Sequence, residues 1–130
     1  MIFDGPLAYL RLDGDVAWFV RKPVPTTSAE TAREGFVAMA LALAALPIKP
    51  RTLVIDSRAA PGRNDEDFEG GVVPLARRFS ESFDRTAILV ATPVGRLQAE
   101  RLRRELGWDA VVFGDEAQAV AWSQAPPPAR

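Results

Sequence analysis

The chain has no cysteine and no histidine among its 130 residues. Without cysteine it can form no disulfide and can offer no thiolate nucleophile or thiolate-bound structural zinc. Without histidine it lacks the commonest general base and metal ligand of proteins at neutral pH. These two absences leave few residue types for catalysis, and the lack of disulfides is consistent with a reducing compartment.

The chain also lacks an excess of either charge and any long apolar run. Sixteen basic and seventeen acidic residues give a net charge of −1. Proteins that bind nucleic acid backbones usually carry a basic excess, so we expect no nucleic acid partner. The longest apolar run, residues 36–46, is too short to cross a bilayer, and the N-terminus has no secretory signal pattern. We therefore expect a cytoplasmic protein of one domain with no membrane span.

The pattern of the first third of the chain indicates a β-hairpin followed by a helix. Apolar and polar residues alternate through LAYLRLDGDVAWFVRK, residues 7–22, around an Asp-Gly pair that is typical of tight hairpin turns. The apolar spacing then changes to steps of three and four, which predicts a helix capped by Thr27 or Ser28 and ended by Pro47. The inward stripe of this helix is Ala32, Phe36, Met39, Leu43 and Leu46.

Three short apolar runs rich in β-branched residues predict strands, each followed by a helix, and the first two of these strands are expected to be buried. The runs are TLVIDS (52–57), TAILVA (86–91) and DAVVFG (109–114). The helix after the first run is expected to break at Gly70, Gly71 and Pro74, and to restart near that proline. The other two helices are expected from Thr92 to Gly107 and from Asp115 to Trp122.

The predicted element order is β-β-α-β-α-β-α-β-α, which is typical of an α/β fold. Strands separated by helices imply right-handed crossovers and a mostly parallel sheet with one antiparallel N-terminal strand. We expect a single domain over residues 1–122, followed by a Pro-rich flexible tail over residues 123–130.

The stretch LVIDSRAAPGRNDEDFEGG, residues 53–71, begins as a strand and turns abruptly polar. Ligands of open α/β sheets bind beyond the carboxyl ends of strands, and a helix N-terminus favours an anion. One interpretation is therefore a recognition loop over residues 56–67 for a protein partner or a small anion. The other is a structural one, in which Asp56 pairs with Arg63 and Asn64 caps the helix. The candidate loop residues are Asp56, Ser57, Arg58, Arg63, Asn64 and Asp65.

The sequence contains no cluster with the spacing of a metal site or of a catalytic motif. The acidic run DEDFE offers Asp65, Asp67 and Glu69, but residues two apart on a helix point in different directions. Acidic residues in a first helical turn are explained by the helix dipole. No nucleophile elbow, phosphate loop or dinucleotide fingerprint is present. We expect no metal, no cofactor and no enzymatic activity; the alternative is acid–base chemistry by Asp56 and Asp65.

The first predicted helix is apolar on every side from residue 36 to residue 46. A surface helix normally keeps a polar face, so another subunit, a partner protein or another part of this chain is expected to cover it. Alanine fills many of these positions and is small enough for its exposure to be tolerable. We predict a contact with a protein partner, or self-association into a homo-oligomer, through Phe36, Val37 and Leu41.

Three further stretches, together with the hairpin, cover about residues 7–122. They are LVIDSRAAPGRND, AILVATPVGRLQAERL and VVFGDEAQAVAW. They resemble the STAS domain (sulphate transporter and anti-sigma factor antagonist), and especially the divergent bacterial STAS-like group related to the lipid-binding CRAL-TRIO fold. Signalling members of that family carry a phosphoacceptor serine at the start of the helix after this strand. Residues 63–67 contain no hydroxyl side chain, and Ser57 lies earlier, at the strand end. The phosphoacceptor role is therefore not transferred to this chain.

The resemblance implies a non-enzymatic regulatory or scaffold domain that acts through protein–protein interaction. Its lipid-binding relatives, together with the anion-favouring loop, support an alternative function as a sensor of a small anionic ligand or a lipid. That alternative predicts a cavity beneath the loop of residues 56–67.

Overall fold

The computed structural model describes residues 1–24, 28–60 and 68–126, without the side chains of residues 68 and 69. Within these residues, an antiparallel unit of three strands is followed by four helices that alternate with three further strands. The strands are β1 Phe3–Asp4, β2 Ala8–Asp13, β3 Val16–Arg21, β4 Thr52–Asp56, β5 Arg85–Leu89 and β6 Ala110–Phe113. The helices are α1 Ala29–Ala44, α2 Val73–Ser80, α3 Pro93–Glu105 and α4 Glu116–Gln124, with a π-helical turn at Phe68–Val72 before α2.

The strands form one mixed sheet in the order β1-β2-β3-β4-β5-β6. Strand β2 runs antiparallel to both of its neighbours, and β3 to β6 are parallel to one another. The predicted α/β fold with one antiparallel N-terminal strand is therefore confirmed. The sequence analysis missed β1, because two residues are too few to show an alternating pattern.

The hairpin between β2 and β3 closes over Gly14 and Asp15, since Asp13 pairs with Val16. This loop lies one residue later than the predicted Asp-Gly turn. Gly14 has a φ of 60°, and no described residue other than glycine has a positive φ. A positive φ at the first loop position alone is typical of a type II′ turn, which requires glycine there.

Alternation along the strands separates two apolar faces of the sheet. On β3, Phe19 packs with α1, α2 and α3, whereas Trp18 packs on the opposite face with Ala119 of α4. Because the parallel strands follow one another in order, right-handed crossovers place α1 to α3 on the same face. Helix α4 follows the last strand and covers the other face. Strand β4 is accordingly buried at all five positions, as predicted for a strand covered on both sides.

Local signals explain where the helices begin and end. The predicted caps Ser28 and Thr92 accept hydrogen bonds from the third residue that follows each of them, at 3.1 and 2.9 Å. Helix α1 ends at Ala44, earlier than the predicted end at Pro47, because a proline disfavours the helical conformation of the residue before it. As predicted, α2 begins beside Pro74; instead of a break, however, the π-helical turn at Phe68–Val72 leads directly into it. Residues 127–130 of the predicted tail lie outside the described residues.

Two buried tryptophans offer a matched test of hydrogen bonding in the two apolar faces. The indole N–H of Trp108 donates to Ser80 Oγ at 3.0 Å, whereas that of Trp18 has no partner within the described residues. A buried hydrogen bond contributes about 1 kcal/mol, and an unpaired donor costs about 1–3 kcal/mol. We expect Trp108→Phe to lower the free energy of unfolding by at least about 1 kcal/mol more than Trp18→Phe, measured by urea denaturation. Equal losses would contradict this prediction.

Candidate functional site

Asp56 ends strand β4 and is only 6% exposed. Its Oδ1 accepts hydrogen bonds from the backbone N and the Nε of Arg58, at 3.1 and 3.0 Å. Its Oδ2 accepts a third from Arg58 Nη2 at 2.9 Å. This bidentate pairing satisfies the hydrogen-bonding capacity of the buried carboxylate within the turn that follows the strand.

Arg58 is shared between the end of β4 and the start of α4. Its Nη2 also donates to Glu116 Oε1 at 3.2 Å. The hydrogen bonds that Arg58 donates to Asp56 raise the pKa of the Arg58 guanidinium above its ordinary value, against the opposing effect of burial. One cation between two carboxylates leaves this cluster with a charge of −1. It holds the strand end to α4, and it is poorly suited to attract an anion.

The remaining predicted loop residues divide into one that the structure places and three that it does not. The backbone N–H of Ser57 donates to the carbonyl of Leu89 at 2.9 Å, which continues the pairing of β4 with β5. Arg63, Asn64 and Asp65 lie outside the described residues. The predicted pairs of Asp56 with Arg63 or with Asp65 therefore stay predictions.

A cavity of about 690 Å³ lies between the sheet and the three helices that cover its first face. Its floor comes from the carboxyl halves of three neighbouring parallel strands, where ligands of α/β sheets bind. Small-molecule sites typically have volumes of about 300–1,000 Å³ and mainly apolar walls. The floor residues are Phe19, Ile55, Ile88 and Val90. The apolar walls include Met39, Val73, Ala76, Ala99, Leu102 and Trp108.

A cavity was predicted only under the alternative function, and none of its lining residues was predicted. The sequence feature that could have indicated this cavity is the presence of small residues on the sheet-facing side of the helices. Ala38, Ala76 and Ala99 each line the cavity from a different helix, and Gly95 approaches it at the start of α3. A methyl group or a hydrogen atom at these positions leaves space where a larger side chain would fill it.

One end of the cavity is polar and lies where β1, β2, β3 and α1 meet. Arg21 is the last residue of β3 and points to the same side of the sheet as Phe19. Burial lowers the pKa of its guanidinium below the ordinary value. Asp4 also lines this end and forms an ion pair with Lys22. Arg21 was not among the predicted site residues, although the alternation of β3 already placed it in the core-facing register.

The three predicted interface residues of α1 fall on two sides of the helix. Phe36 points inward and packs on Phe19 and Phe79, with ring centroids 5.5 Å from each. Val37 and Leu41 are 54% and 67% exposed. They lie on the outer face of α1, which we define as Val37, Ala40, Leu41 and Ala44. This face carries no charge and has the spacing of one helical stripe.

Comparison of the sequence with protein-family models and with curated proteins found no match. Within residues 1–24, 28–60 and 68–126, no helix combines the length and the apolar character that crossing a bilayer requires. The same residues contain no group of three or more acidic side chains placed to hold a metal ion.

Proposed function

We propose that this domain is a non-enzymatic sensor that binds a small apolar or amphipathic molecule in the cavity between the sheet and α1 to α3. The observation that carries the proposal is the cavity itself. Small-molecule sites are clefts or cavities of about 300–1,000 Å³ that are lined mainly by apolar side chains with a few polar groups. This space is a partly open cleft of about 690 Å³ with a mainly apolar lining, so it matches such a site in both size and lining.

The apolar lining also supplies enough free energy for specific binding. A twelve-carbon alcohol has thirteen heavy atoms, and small ligands gain roughly 0.5 kcal/mol per heavy atom, between the limits for the smallest ligands and for drug-sized ones. The expected binding free energy is about −6 kcal/mol, which corresponds to a dissociation constant on the order of 10–100 µM. This affinity suits a domain that senses the concentration of a metabolite.

The resemblance to the STAS-like group related to the CRAL-TRIO fold supports the same function. That resemblance implies a regulatory domain, and its lipid-binding relatives imply a ligand with a hydrocarbon body. The mixed sheet with helices α1 to α3 on one face is compatible with both implications. Ligand binding would then be the input of the domain, and a change in its contacts with partners would be the output.

Tryptophan fluorescence tests the proposal, because the three tryptophans divide between the two faces of the sheet. Trp108 lines the cavity, whereas Trp18 and Trp122 pack on the face covered by α4. In a variant with Trp18→Phe and Trp122→Phe, we expect 12-bromododecanol to quench the emission of Trp108 saturably. A matched variant that keeps only Trp18 should show no saturable quenching. Absence of quenching in the first variant, or equal quenching in both, would refute binding in the cavity.

Protein–protein interaction through α1 is a second candidate function, favoured by the exposure of its outer face. Two copies can pack this face against itself, because it carries no charge that would repel its counterpart. Its alanines also let two helices approach closely. The same helix supplies Phe36 and Met39 to the cavity, so a ligand there would contact the element that meets the partner.

A charge on the outer face of α1 tests this second candidate. We expect the wild type to sediment as a dimer, and Leu41→Glu to weaken association at least about a hundredfold, because the symmetric contact would bury two carboxylates. Leu41 is 67% exposed, so the stability of the protomer should change by no more than about 0.5 kcal/mol. Leu97→Glu on α3, at a position that is 72% exposed, is the matched control. A monomeric wild type without a partner would contradict the prediction.

A further inference from the structure

We propose that the ligand of the cavity is a singly charged amphiphile with a carboxylate head group, and that Arg21 binds this head group. This inference rests on the proposed function and adds to it the chemical class of the ligand. It assigns the anion site to Arg21 at the end of β3, one strand away from the start of the predicted loop of residues 56–67, because Val20 pairs with Asp56.

Backbone pairing fixes the position of Arg21. It pairs with Ala8 across the β2–β3 ladder, and the next N–H, of Lys22, donates to the carbonyl of Leu7 at 2.9 Å. Side chains two apart on a strand share a face, so Arg21 lies on the helix-covered side with Phe19. The guanidinium therefore reaches the cavity from a rigid element, which is a good basis for orienting a ligand.

The chemistry of a guanidinium in an apolar cavity favours an anion. Arginine presents five N–H donors in a planar fork that matches the two oxygens of a carboxylate. Because the guanidinium has five donors, a ligand carboxylate can accept hydrogen bonds from some of them while a protein group accepts from others. Burial lowers the pKa of the Arg21 guanidinium, because burial disfavours its charged form. A ligand carboxylate would accept further charge-assisted hydrogen bonds from this guanidinium, and such bonds are about twice as strong as neutral ones.

The charges around Arg21 favour a ligand with one negative charge rather than two. Asp4 and Glu34 line the same end of the cavity, and Lys22 is paired with Asp4. Arg58 also lines the cavity, but Asp56 and Glu116 together outweigh its charge. A second negative charge on the head group would therefore meet acidic side chains without a further described cation to compensate it.

The shape of the cavity accommodates the hydrocarbon body of such a ligand. Across the sheet the floor runs from Phe19 on β3 to Ile55 on β4 and Ile88 on β5, and Leu102 and Trp108 also line the cavity. Two strand spacings of about 4.8 Å each give about 10 Å between β3 and β5. An extended acyl chain can lie across these strands, with its head at Arg21 and its tail toward Trp108.

A pair of ligands that differ only in the head group tests the inference in the protein that keeps Trp108 as its single tryptophan. We expect 12-bromododecanoate at pH 8 to bind at least tenfold more tightly than 12-bromododecanol, both below their aggregation concentrations. In Arg21→Gln the affinity for the acid should fall at least tenfold, and the affinity for the alcohol should stay within twofold. Arg21→Lys, which keeps the charge but loses the planar fork, should retain part of the preference for the acid.

Each other outcome has a distinct meaning. Equal affinities for the acid and the alcohol in the parent protein would overturn the inference and leave the proposed function standing. If Arg21→Gln lowers the affinity for the acid and for the alcohol equally, and Arg21→Lys restores neither affinity, Arg21 supports the fold instead of binding the head group. Absence of quenching by both ligands would refute the proposed function itself, and the inference with it.

Discussion

Replacing Phe79 by alanine should lower the free energy of unfolding by about 4 kcal/mol, within the range for a buried phenylalanine. Phe79 is 8% exposed and lies at the centre of a cluster of four aromatic rings. Its ring centroid is 6.0 Å from that of Phe19, 5.5 Å from that of Phe36 and 5.8 Å from that of Phe83. Each such pair adds roughly 0.5–1.5 kcal/mol beyond the burial of its area. The substitution therefore removes the contacts that join α2 to both α1 and β3.

Urea denaturation measures this loss, and Phe83 provides the matched control. Phe83 is partly buried and has only Phe79 as its ring partner among the described residues. Phe83→Ala should cost roughly half as much as Phe79→Ala, because less area and one ring contact are lost. The two variants should have the m-value of the wild type if the transition stays two-state. A loss in Phe79→Ala no larger than that in Phe83→Ala would contradict the central role of Phe79.

Those parts of the fold that depend on short-range physics could be predicted from the sequence. The β-branched runs identified β4, β5 and β6. Strands β4 and β5 are apolar along most of their length because both of their faces are covered, whereas β6 is the edge strand and leaves Val111 exposed. Side-chain oxygens at Ser28, Thr92 and Asp115 identified helix starts, because each one binds a free N–H within the next three residues. These signals are local, and tertiary structure left them unchanged.

The cavity could not be predicted in the same way, because it is the volume left over when three helices pack on one sheet face. No single stretch of sequence contains that volume. Phe36 illustrates the difficulty: its helix is apolar on every side, so the pattern assigned it both to the inward stripe and to the interface. Only its stacking on Phe19 shows that it belongs to the core. Arg21, in contrast, was accessible from alternation, since it shares the register of Ala17 and Phe19.

The predicted loop site shows a second limit of reasoning from residue types. Asp56, Ser57 and Arg58 were selected as polar groups at a strand end, and the structure places all three there. Their types do not reveal that Asp56 and Arg58 satisfy one another through three hydrogen bonds. Such pairing depends on side-chain conformation, which residue types alone do not fix, and a binding role of this loop stays a prediction.

Filling the cavity should abolish ligand binding without unfolding the domain. Ala99 lines the cavity from α3, and Ala99→Phe would place an aromatic ring in the space that the hydrocarbon body of a ligand needs. We expect the affinity for 12-bromododecanol to fall more than tenfold in the protein that keeps only Trp108. The free energy of unfolding should rise by about 1 kcal/mol, because a cavity-filling side chain adds apolar contacts. Overpacking at a site without free space would instead cost about 1–3 kcal/mol.

The outer side of the same helix provides the control for this variant. Leu97 is 72% exposed on α3 and does not line the cavity, so Leu97→Phe adds an aromatic ring to the helix without reducing the cavity volume. It should leave both ligand affinity and stability close to those of the parent protein. If Ala99→Phe binds the alcohol as tightly as Leu97→Phe does, the ligand lies elsewhere. If Ala99→Phe loses both affinity and stability, the space beside Ala99 is too small for a ring. If a ligand-sized cavity lies at this position, Ala99→Phe should lower the affinity for the alcohol and raise the free energy of unfolding.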